Sequence, residues 1–318
     1  MARNPVQFQK GLSEPAFHKA YGTEEQCLAA LEALRWPDGF VCPRCGHEKA
    51  RRLSSRPRLH QCASCRHQAS VTAGTVFHRT KLPLTLWFLG IYHLTQSKNG
   101  VSALELSRRL GVQSNTAWLL KHKLMAVMVE RDEGKTLDGR IEIDDAYLGG
   151  EKARKVGESG RGSPNKVPFV AAVETDPAGR PQRIALQVLG GFTLAEIERF
   201  AHQKLAPSCE VFSDGLNCFP GVIAAGCSHS ICVTGGGRRA AEKPTFKWVN
   251  TLLGNIKSAL SGTYRHHRAK YAQSYLGEFE YRFNRRSNLV ELPTRLAYVA
   301  LRTAPRPYRV ITQAELAA

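Results

Sequence analysis

Four cysteines set the first limit on this fold. Cys42-Pro-Arg-Cys45 and Cys62-Ala-Ser-Cys65 are separated by sixteen residues, a C-x2-C-x16-C-x2-C spacing. Each short pair turns two thiolates back onto one ion, and two pairs close a tetrahedral structural zinc site. A redox dithiol needs only one pair. Pro43 and Gly46 suit the tight turns that such pairs form, and the intervening segment is short, β-like and basic, so a zinc ribbon is expected over 37–79. His47 and His67 could stand in as ligands, but four cysteines already complete the set, which leaves both histidines as surface residues. Cys209, Cys218, Cys227 and Cys232 are scattered through apolar or turn-like sequence and read as reduced core thiols.

Charge limits the partner. Lys and Arg number 45 against 27 Asp and Glu, a formal net charge of +18. A large chain this basic meets a polyanion, and nucleic acid is the commonest one. No segment joins a basic face to a strongly apolar one, as an anionic membrane surface would require. No apolar run is long enough to span a bilayer, and the opening MARNPVQFQK lacks the apolar core of a signal peptide. The expectation is a cytoplasmic protein with no membrane partner.

Along the chain, an N-terminal helical segment is expected over 1–36, with a helix at Glu24–Leu34. Residues 80–130 read as helical throughout, starting with Leu82–Gln96 and its apolar Leu86, Leu89, Ile91 and Tyr92. Val101–Leu110, a turn at Gly111–Val112 and Ser114–Val129 make a helix-turn-helix pattern. Ala103, Leu106 and Leu110 should pack inward, and Ser114 or Asn115 should cap the second helix. Gln113, Asn115, Thr116, Lys121 and Lys123 are types that reach base edges or phosphates. Plain helical packing is the competing reading of such a hairpin.

After the polar stretch Glu130–Arg140 the periodicity changes to strands: Ile141–Leu148, Val167–Glu174 and Ile184–Leu189. A Thr-capped helix at Thr193–Leu205, a strand at Glu210–Asp214, a short apolar helix near Pro220–Ala225 and a strand at Ser230–Thr234 come next. A helix at Thr245–Ser261 carries the stripe Phe246, Val249, Leu253, Ile256 and Leu260. This order is that of an α/β, ribonuclease H-like domain, expected over 137–290 with a C-terminal tail at 291–318. In such a fold the first and fourth strands are neighbours, so Asp144 and Asp214 should stand side by side.

A carboxylate on a rigid strand is well placed to hold a divalent metal, although an isolated Asp at a strand end is usually a solvated turn residue. Two carboxylates can hold Mg2+, and two-metal phosphoryl chemistry usually recruits a third ligand. Asn250 and Lys257 are seven residues apart and within roughly 20° around the helix axis, on one border of the apolar stripe. An Asn carbonyl can ligate a hard cation, and a Lys can contact phosphate; surface placement is the ordinary role of both.

The combination of zinc ribbon, helix-turn-helix, IEIDDAYLGG, VFSDG, WVNTLLGNIKSALSGTYRHH and YLGEFEYRFNRR resembles the IS1595-family transposases, the ISXO2-like group in particular. The likeness covers nearly the whole chain, and its most specific parts are the Gly262–Tyr264 turn and the closing Tyr275–Arg286 motif. The resemblance implies a DDE-type catalytic site with its first Asp at Asp144, its second at Asp214, its third position at Asn250 and a downstream Lys at Lys257. It also implies zinc at Cys42, Cys45, Cys62 and Cys65. The commoner third residue is Glu, so a neighbouring acid could supply the charge that Asn250 lacks: Asp145, Glu142, Glu278 or Glu280.

The resemblance further implies an insertion-sequence transposase that cuts and joins DNA with Mg2+ or Mn2+ at Asp144 and Asp214, acting on terminal inverted repeats and target DNA as a homo-oligomer. Basic residues at Lys152–Lys166, Arg238–Lys243, Arg265–Lys270 and Arg282–Arg286 are candidate phosphate contacts, and His266 and His267 read either as phosphate or DNA contacts or as plain surface histidines. Tyr275, Phe279 and Phe283 read as core, with Arg282, Arg285 and Arg286 exposed. Two rival readings remain: a zinc-ribbon DNA-binding regulator with an inactive nuclease-like domain, and a structure-selective nuclease of the same fold.

Overall fold

The computed structural model describes residues 10–149, 166–232, 244–264 and 268–313. They fall into two compact units. The described residues of Met1–Arg131 and Arg285–Thr312 form one, and Asp132–Asn284 form the other.

The first unit opens with α1 (Glu14–Tyr21) and α2 (Glu24–Arg35). Thr23 and Gln26 close a capping box at the start of α2, each side chain accepting the other's backbone N–H. Three short antiparallel strands come next, β1 (Ala50–Leu53), β2 (Arg56–Cys62) and β3 (Gln68–Ser70). Ion pairs Arg52–Glu32 and Arg58–Glu24 tie this small sheet to α2. Glu24 also accepts the Leu84 N–H at 2.7 Å, at the start of the next helix, α3 (Leu84–Gln96).

Helix α3 is buried on almost every side, and its deepest side chains are Leu84, Trp87, Phe88, Ile91 and Leu94; the expected Leu86 and Leu89 are only half-buried. Gly90 allows a close approach there: a Cβ would lie 2.7 Å from the Leu120 side chain, which would have to shift.

The helical hairpin consists of α4 (Ala103–Leu110) and α5 (Ser114–Asp132). Leu106 and Leu110 are buried as expected, whereas Ala103 is only half-buried. Gly111 ends α4 at φ 63°, a left-handed conformation that costs glycine nothing.

Two expectations for the hairpin are corrected. Ser114 is already helical and the carbonyl of Gln113 accepts the Thr116 and Ala117 N–H groups, so the cap position falls at Gln113. Lys121 is 1% exposed and donates to the Val101 carbonyl at 2.6 Å. It pins the hairpin together and cannot reach DNA. Lys123 is half-buried beneath the Trp87 ring, which leaves Gln113, Ser114 and Asn115 as the exposed polar end of α5.

The second unit is built on a five-stranded sheet: β4 (Arg140–Leu148), β5 (Val167–Thr175), β6 (Pro181–Val188), β7 (Glu210–Ser213) and β8 (Ser228–Ile231), in the order β6-β5-β4-β7-β8. Strand β4 is antiparallel to β5 and parallel to β7, and β7 is parallel to β8. Helix α6 (Leu194–Lys204), capped by Thr193, and a 3-10 turn at Phe219–Ala225 cover one face. Ile141, Ile143, Val170, Phe200, Val211 and Phe219 fill that core.

Helices α7 (Lys247–Thr263) and α8 (Ala272–Phe283) cover the other face, over Ala146, Leu148, Phe169, Ala171, Ile256 and Leu276. A mixed sheet with helices on both faces is the ribonuclease H-like arrangement. The five stripe residues expected on α7 are all buried. The helix begins at Lys247, after a 3-10 turn at Pro244–Phe246, and not at Thr245. The last strand spans Ser228–Ile231; residues 233 and 234 of the expected strand lie outside the described residues.

Helix α8 closes the sheet by an unusual route. Backbone groups along the outer edge of β6 are met by side chains at alternate residues. Asn284 accepts the Ile184 N–H at 2.8 Å and donates to the Ile184 carbonyl at 2.9 Å. Glu280 accepts the Leu186 N–H at 2.9 Å, and Gln273 both accepts from Val188 N–H and donates to the Leu186 carbonyl. An edge strand left open invites pairing with another chain, and these three side chains remove that edge.

In the first unit, α9 (Leu292–Ala300) and α10 (Tyr308–Thr312) complete the fold. Thr294 shares a hydrogen bond with Tyr21, and Gln96 donates to the Leu289 carbonyl at 2.8 Å.

Candidate active site

Register brings the acids together. Parallel pairing of β4 with β7 sets Glu142 opposite Phe212, so the same register carried two residues further sets Asp144 opposite Asp214, just past the end of β7. Alternation puts Asp144 on the face of Ala146 and Leu148, toward α7. Gly215, at φ 94°, turns the chain directly after Asp214, and the Asp214 carboxylate accepts the Leu216 N–H at 3.1 Å. One carboxylate oxygen from each of Asp144, Asp145 and Asp214 lies within 4.8 Å of the others. Asp145 also donates its backbone N–H to Asp144 at 2.9 Å.

The electrostatics arise from that crowding. Burial, then the charges of Asp145 and Asp214, push the Asp144 carboxyl up to about 7, while the ammonium of Lys257 pulls it down. Three acids brought this close repel one another, and carboxylate oxygens at this spacing suit a hard divalent cation. Lys257, on the exposed side of α7, faces Asp144 closely enough to act on it. Asn250 is half-buried on the same helix.

Of the four acids named as substitutes for a third carboxylate, Asp145 alone joins the cluster. Glu142 is 1% exposed and has both oxygens engaged. One accepts the Trp248 and Val249 N–H groups at 2.9 and 3.0 Å, and the other pairs with Arg140 at 3.2 Å. Burial raises its carboxyl above the ordinary range, against the pull of those donors. Glu278 accepts from the Tyr264 hydroxyl at 2.7 Å, and Glu280 holds the β6 edge. Each is spent on the fold.

The closing motif divides accordingly. Tyr275, Phe279 and Phe283 pack half-buried against the core under α7, as expected. Arg282 is only 10% exposed and pairs with Glu278, while Arg285 and Arg286 are half-buried, so the expected row of exposed arginines is not there. Sequence reasoning missed Gln273 and Asn284 and took Glu280 for a candidate third acid; the spacings of seven and four along one helix face were the available signal for their shared role. Arg268 is exposed and Lys270 is half-buried over the Tyr271 ring, while residues 150–165 and 233–243, as well as Arg265, His266 and His267, lie outside the described residues.

In the small sheet, the sulfurs of Cys42, Cys45, Cys62 and Cys65 also lie within 4.8 Å of one another. The pairs Cys42–Cys65 and Cys45–Cys62 stand 3.6 Å apart. Four thiolates about 2.3 Å from one zinc ion stand about 3.8 Å from each other, so the donor set fits zinc. His47 and His67 contribute backbone carbonyls instead, accepting the N–H of Cys42 and Cys62 at 2.9 Å in two equivalent turns. Cys209, Cys218 and Cys227 are buried and Cys232 half-buried, and none of the four is in a disulfide.

Fold and site together define a ribonuclease H-like protein with a carboxylate cluster, joined to a zinc ribbon. Residues 136–284 match the ISXO2-like transposase domain, and residues 22–68 match the transposase zinc-ribbon domain. The chain thus carries the domain pair of the IS1595 transposases. It is also 29% identical over 134 residues to an uncharacterized protein in the transposable element ISH50 of Halobacterium salinarum. That likeness takes in 41% of this chain and 44% of the relative, less than half the length of either. Among the described residues, no helix is long and apolar enough to cross a membrane.

Proposed function

We propose that the chain is the transposase of an insertion sequence, cutting and joining DNA at a divalent-metal site made by Asp144, Asp145 and Asp214. The observation that carries this reading is the convergence of the three carboxylates within 4.8 Å in a domain of the transposase family. When bound, Mg2+ or Mn2+ supplies Lewis-acid activation of a phosphodiester and of its attacking oxygen.

The protein's own groups do the rest. Asp144 and Asp214 hold the site from adjacent strands. Asp145 brings the negative charge that Asn250 lacks, and Asn250 offers a neutral carbonyl from α7. Lys257, beside Asp144, offsets the excess negative charge and is placed to meet a phosphate oxygen. In the first step water attacks phosphorus, the P–O3′ bond breaks and the departing 3′-oxygen takes a proton, leaving a 3′-hydroxyl and a 5′-phosphate. In the second step that 3′-hydroxyl attacks a target phosphodiester, a new P–O3′ bond forms and a target 3′-hydroxyl leaves.

The remaining assignments accord with this reading. The zinc ribbon (37–79) and the helix-turn-helix segment (80–130), with the exposed Gln113, Ser114 and Asn115, hold the terminal inverted repeats while 137–290 does the chemistry. Pairing two ends calls for a homo-oligomer. Backbone contacts by so basic a chain make binding strongly salt-dependent.

A strand-transfer assay tests the reading. Purified protein receives an element-end DNA, Mg2+ or Mn2+ and a plasmid target, alongside Asp144→Ala, Asp214→Ala and Asn250→Ala. Joined product from the wild type, lost with either Asp, is the expected result, and the Asn250→Ala arm decides whether that residue acts in the site. Cutting without joining would make the protein a nuclease; binding with neither would make it a regulator.

A further inference from the structure

Glu142 and Asp144 share a strand and a face, two residues apart, yet Glu142 is turned wholly to the protein. Its Oε2 accepts the N–H groups of Trp248 and Val249, the second and third residues of α7. Beside it, Arg140 donates to Glu142 Oε1, to the Thr175 hydroxyl and to the Thr245 carbonyl at 3.2, 3.2 and 3.3 Å. Strand β4 therefore grips the first turn of α7 through the buried Glu142 and the turn before it through the half-buried Arg140.

The grip fixes more than a helix end. Asn250 is the next residue after the second N–H held by Glu142, and Lys257 lies seven further along the same helix. An α-helix is stiff, with about 1.5 Å of rise and 100° of turn per residue, so a slip of one residue at the start carries Lys257 about 100° around the axis. We propose that Glu142 is a positioning residue: from the strand that bears Asp144, it sets the axial and rotational placement of Asn250 and Lys257 against the acid cluster. The proposal rests on the metal-dependent reading of that cluster. It also accounts for an acid beside the site that holds no free oxygen for a cation.

Full-length Glu142→Ala and Glu142→Gln are compared with Lys257→Ala and the double variant Glu142→Ala/Lys257→Ala. Single-turnover cleavage at saturating DNA and metal, DNA affinity and thermal melting are all measured. Misplacement of this kind costs on the order of 10²-fold in rate, and that is the loss expected for Glu142→Ala, with DNA affinity retained. Glu142→Gln, whose amide oxygen still accepts the two N–H groups, recovers most of the rate. The double variant is no slower than the slower single, because both changes remove the same contact with the acids. A rate that falls only in step with the folded fraction, or losses that multiply in the double variant, would overturn the proposal.

A second readout needs no activity. Mn2+ bound at the acids should broaden the Lys257 ε-CH2 resonance in the wild type. It should do so less in Glu142→Ala, which keeps its Mn2+ affinity. Equal broadening in both sinks the positioning role even if the wild type cuts DNA. Broadening that differs as expected in a protein that makes no product would retain the placement and reject the transposase reading instead.

Discussion

The two ligand clusters are made in opposite ways. Cys42, Cys45, Cys62 and Cys65 come from two short turns within one small sheet, and little core surrounds them: β1 and β2 are exposed or half-buried along most of their length. Asp144 and Asp214 are seventy residues apart in the chain and meet because β4 and β7 pair in parallel above a large core. In the first cluster the ligands need the ion in order to hold their shape. In the second the sheet sets the shape, and the acids repel one another at close range. Removing zinc should therefore unfold its surroundings, whereas removing a divalent cation from the proposed acid site should leave the sheet intact and slightly strained.

Zinc loss gives the largest expected effect. Structural zinc contributes about 10–16 kcal/mol to folding in small modules. Cys45→Ser, or chelation, should release zinc in native mass spectrometry and collapse amide protection across β1–β3. Asp144→Ala and Asp214→Ala should keep both the zinc and the protection. A Cys45→Ser chain that holds its small sheet without metal breaks the comparison.

Next comes the acid cluster. Asp145→Asn should weaken Mn2+ binding by about 10–100-fold, the range found when a group supporting a metal site is lost. Titration calorimetry checks this, and unchanged affinity would return the missing third charge to some other group. Asp144 makes the same binding depend on pH. Its carboxyl, held up to about 7 by burial and by Asp145 and Asp214, must lose its proton before it can bind a cation. Apparent Mn2+ affinity should rise with pH to about 7 and level off above it.

The two clusters were also unequally legible. Cysteine spacing states its partners within 24 residues, so the zinc ligands could be read directly. Alternation in IEIDDAYLGG placed Asp144 on a strand, and the order of elements implied its neighbour. What could not be read is what depends on distant contacts. Helix α7 starts two residues later than expected, and Glu142, about a hundred positions earlier, accepts the N–H groups of its second and third residues. Lys121 has the composition of a DNA contact, but its burial against Val101 is a tertiary fact. Glu278, Glu280 and Arg282 advertise charge in a closing motif that the fold spends on Tyr264, on the β6 edge and on one another.

That edge supplies a smaller effect. Asn284→Ala strips both partners from Ile184, and a buried backbone group left unpaired costs about 1–3 kcal/mol. The expected drop in melting temperature comes with faster exchange of the Ile184 and Leu186 amides, and with more aggregation, since the side-chain cover of an edge has been broken. A variant that melts lower but stays monodisperse would show that α8 shields β6 by its bulk alone.

The smallest effect reads the strain left in the acid cluster when no metal is present. The folded-state carboxyl of Asp144 titrates near 7, above its ordinary value of 3.8, so the folded chain holds a proton that the unfolded chain gives up. Its contribution to stability is complete below the ordinary value and is lost as pH rises through about 7. Asp144→Asn removes the charge while keeping the shape. In metal-free protein the substitution should raise the melting temperature by about 2–4 °C, corresponding to about 1 kcal/mol, with a gain that grows up to about pH 7 and is constant above. Excess Mn2+ should reverse the sign, because the wild type binds the ion more tightly and is stabilised by it more. An Asp144→Asn variant no more stable than wild type at pH 8 without metal would mean that the three acids are not in tension, and that the sheet does not hold them ready for a cation.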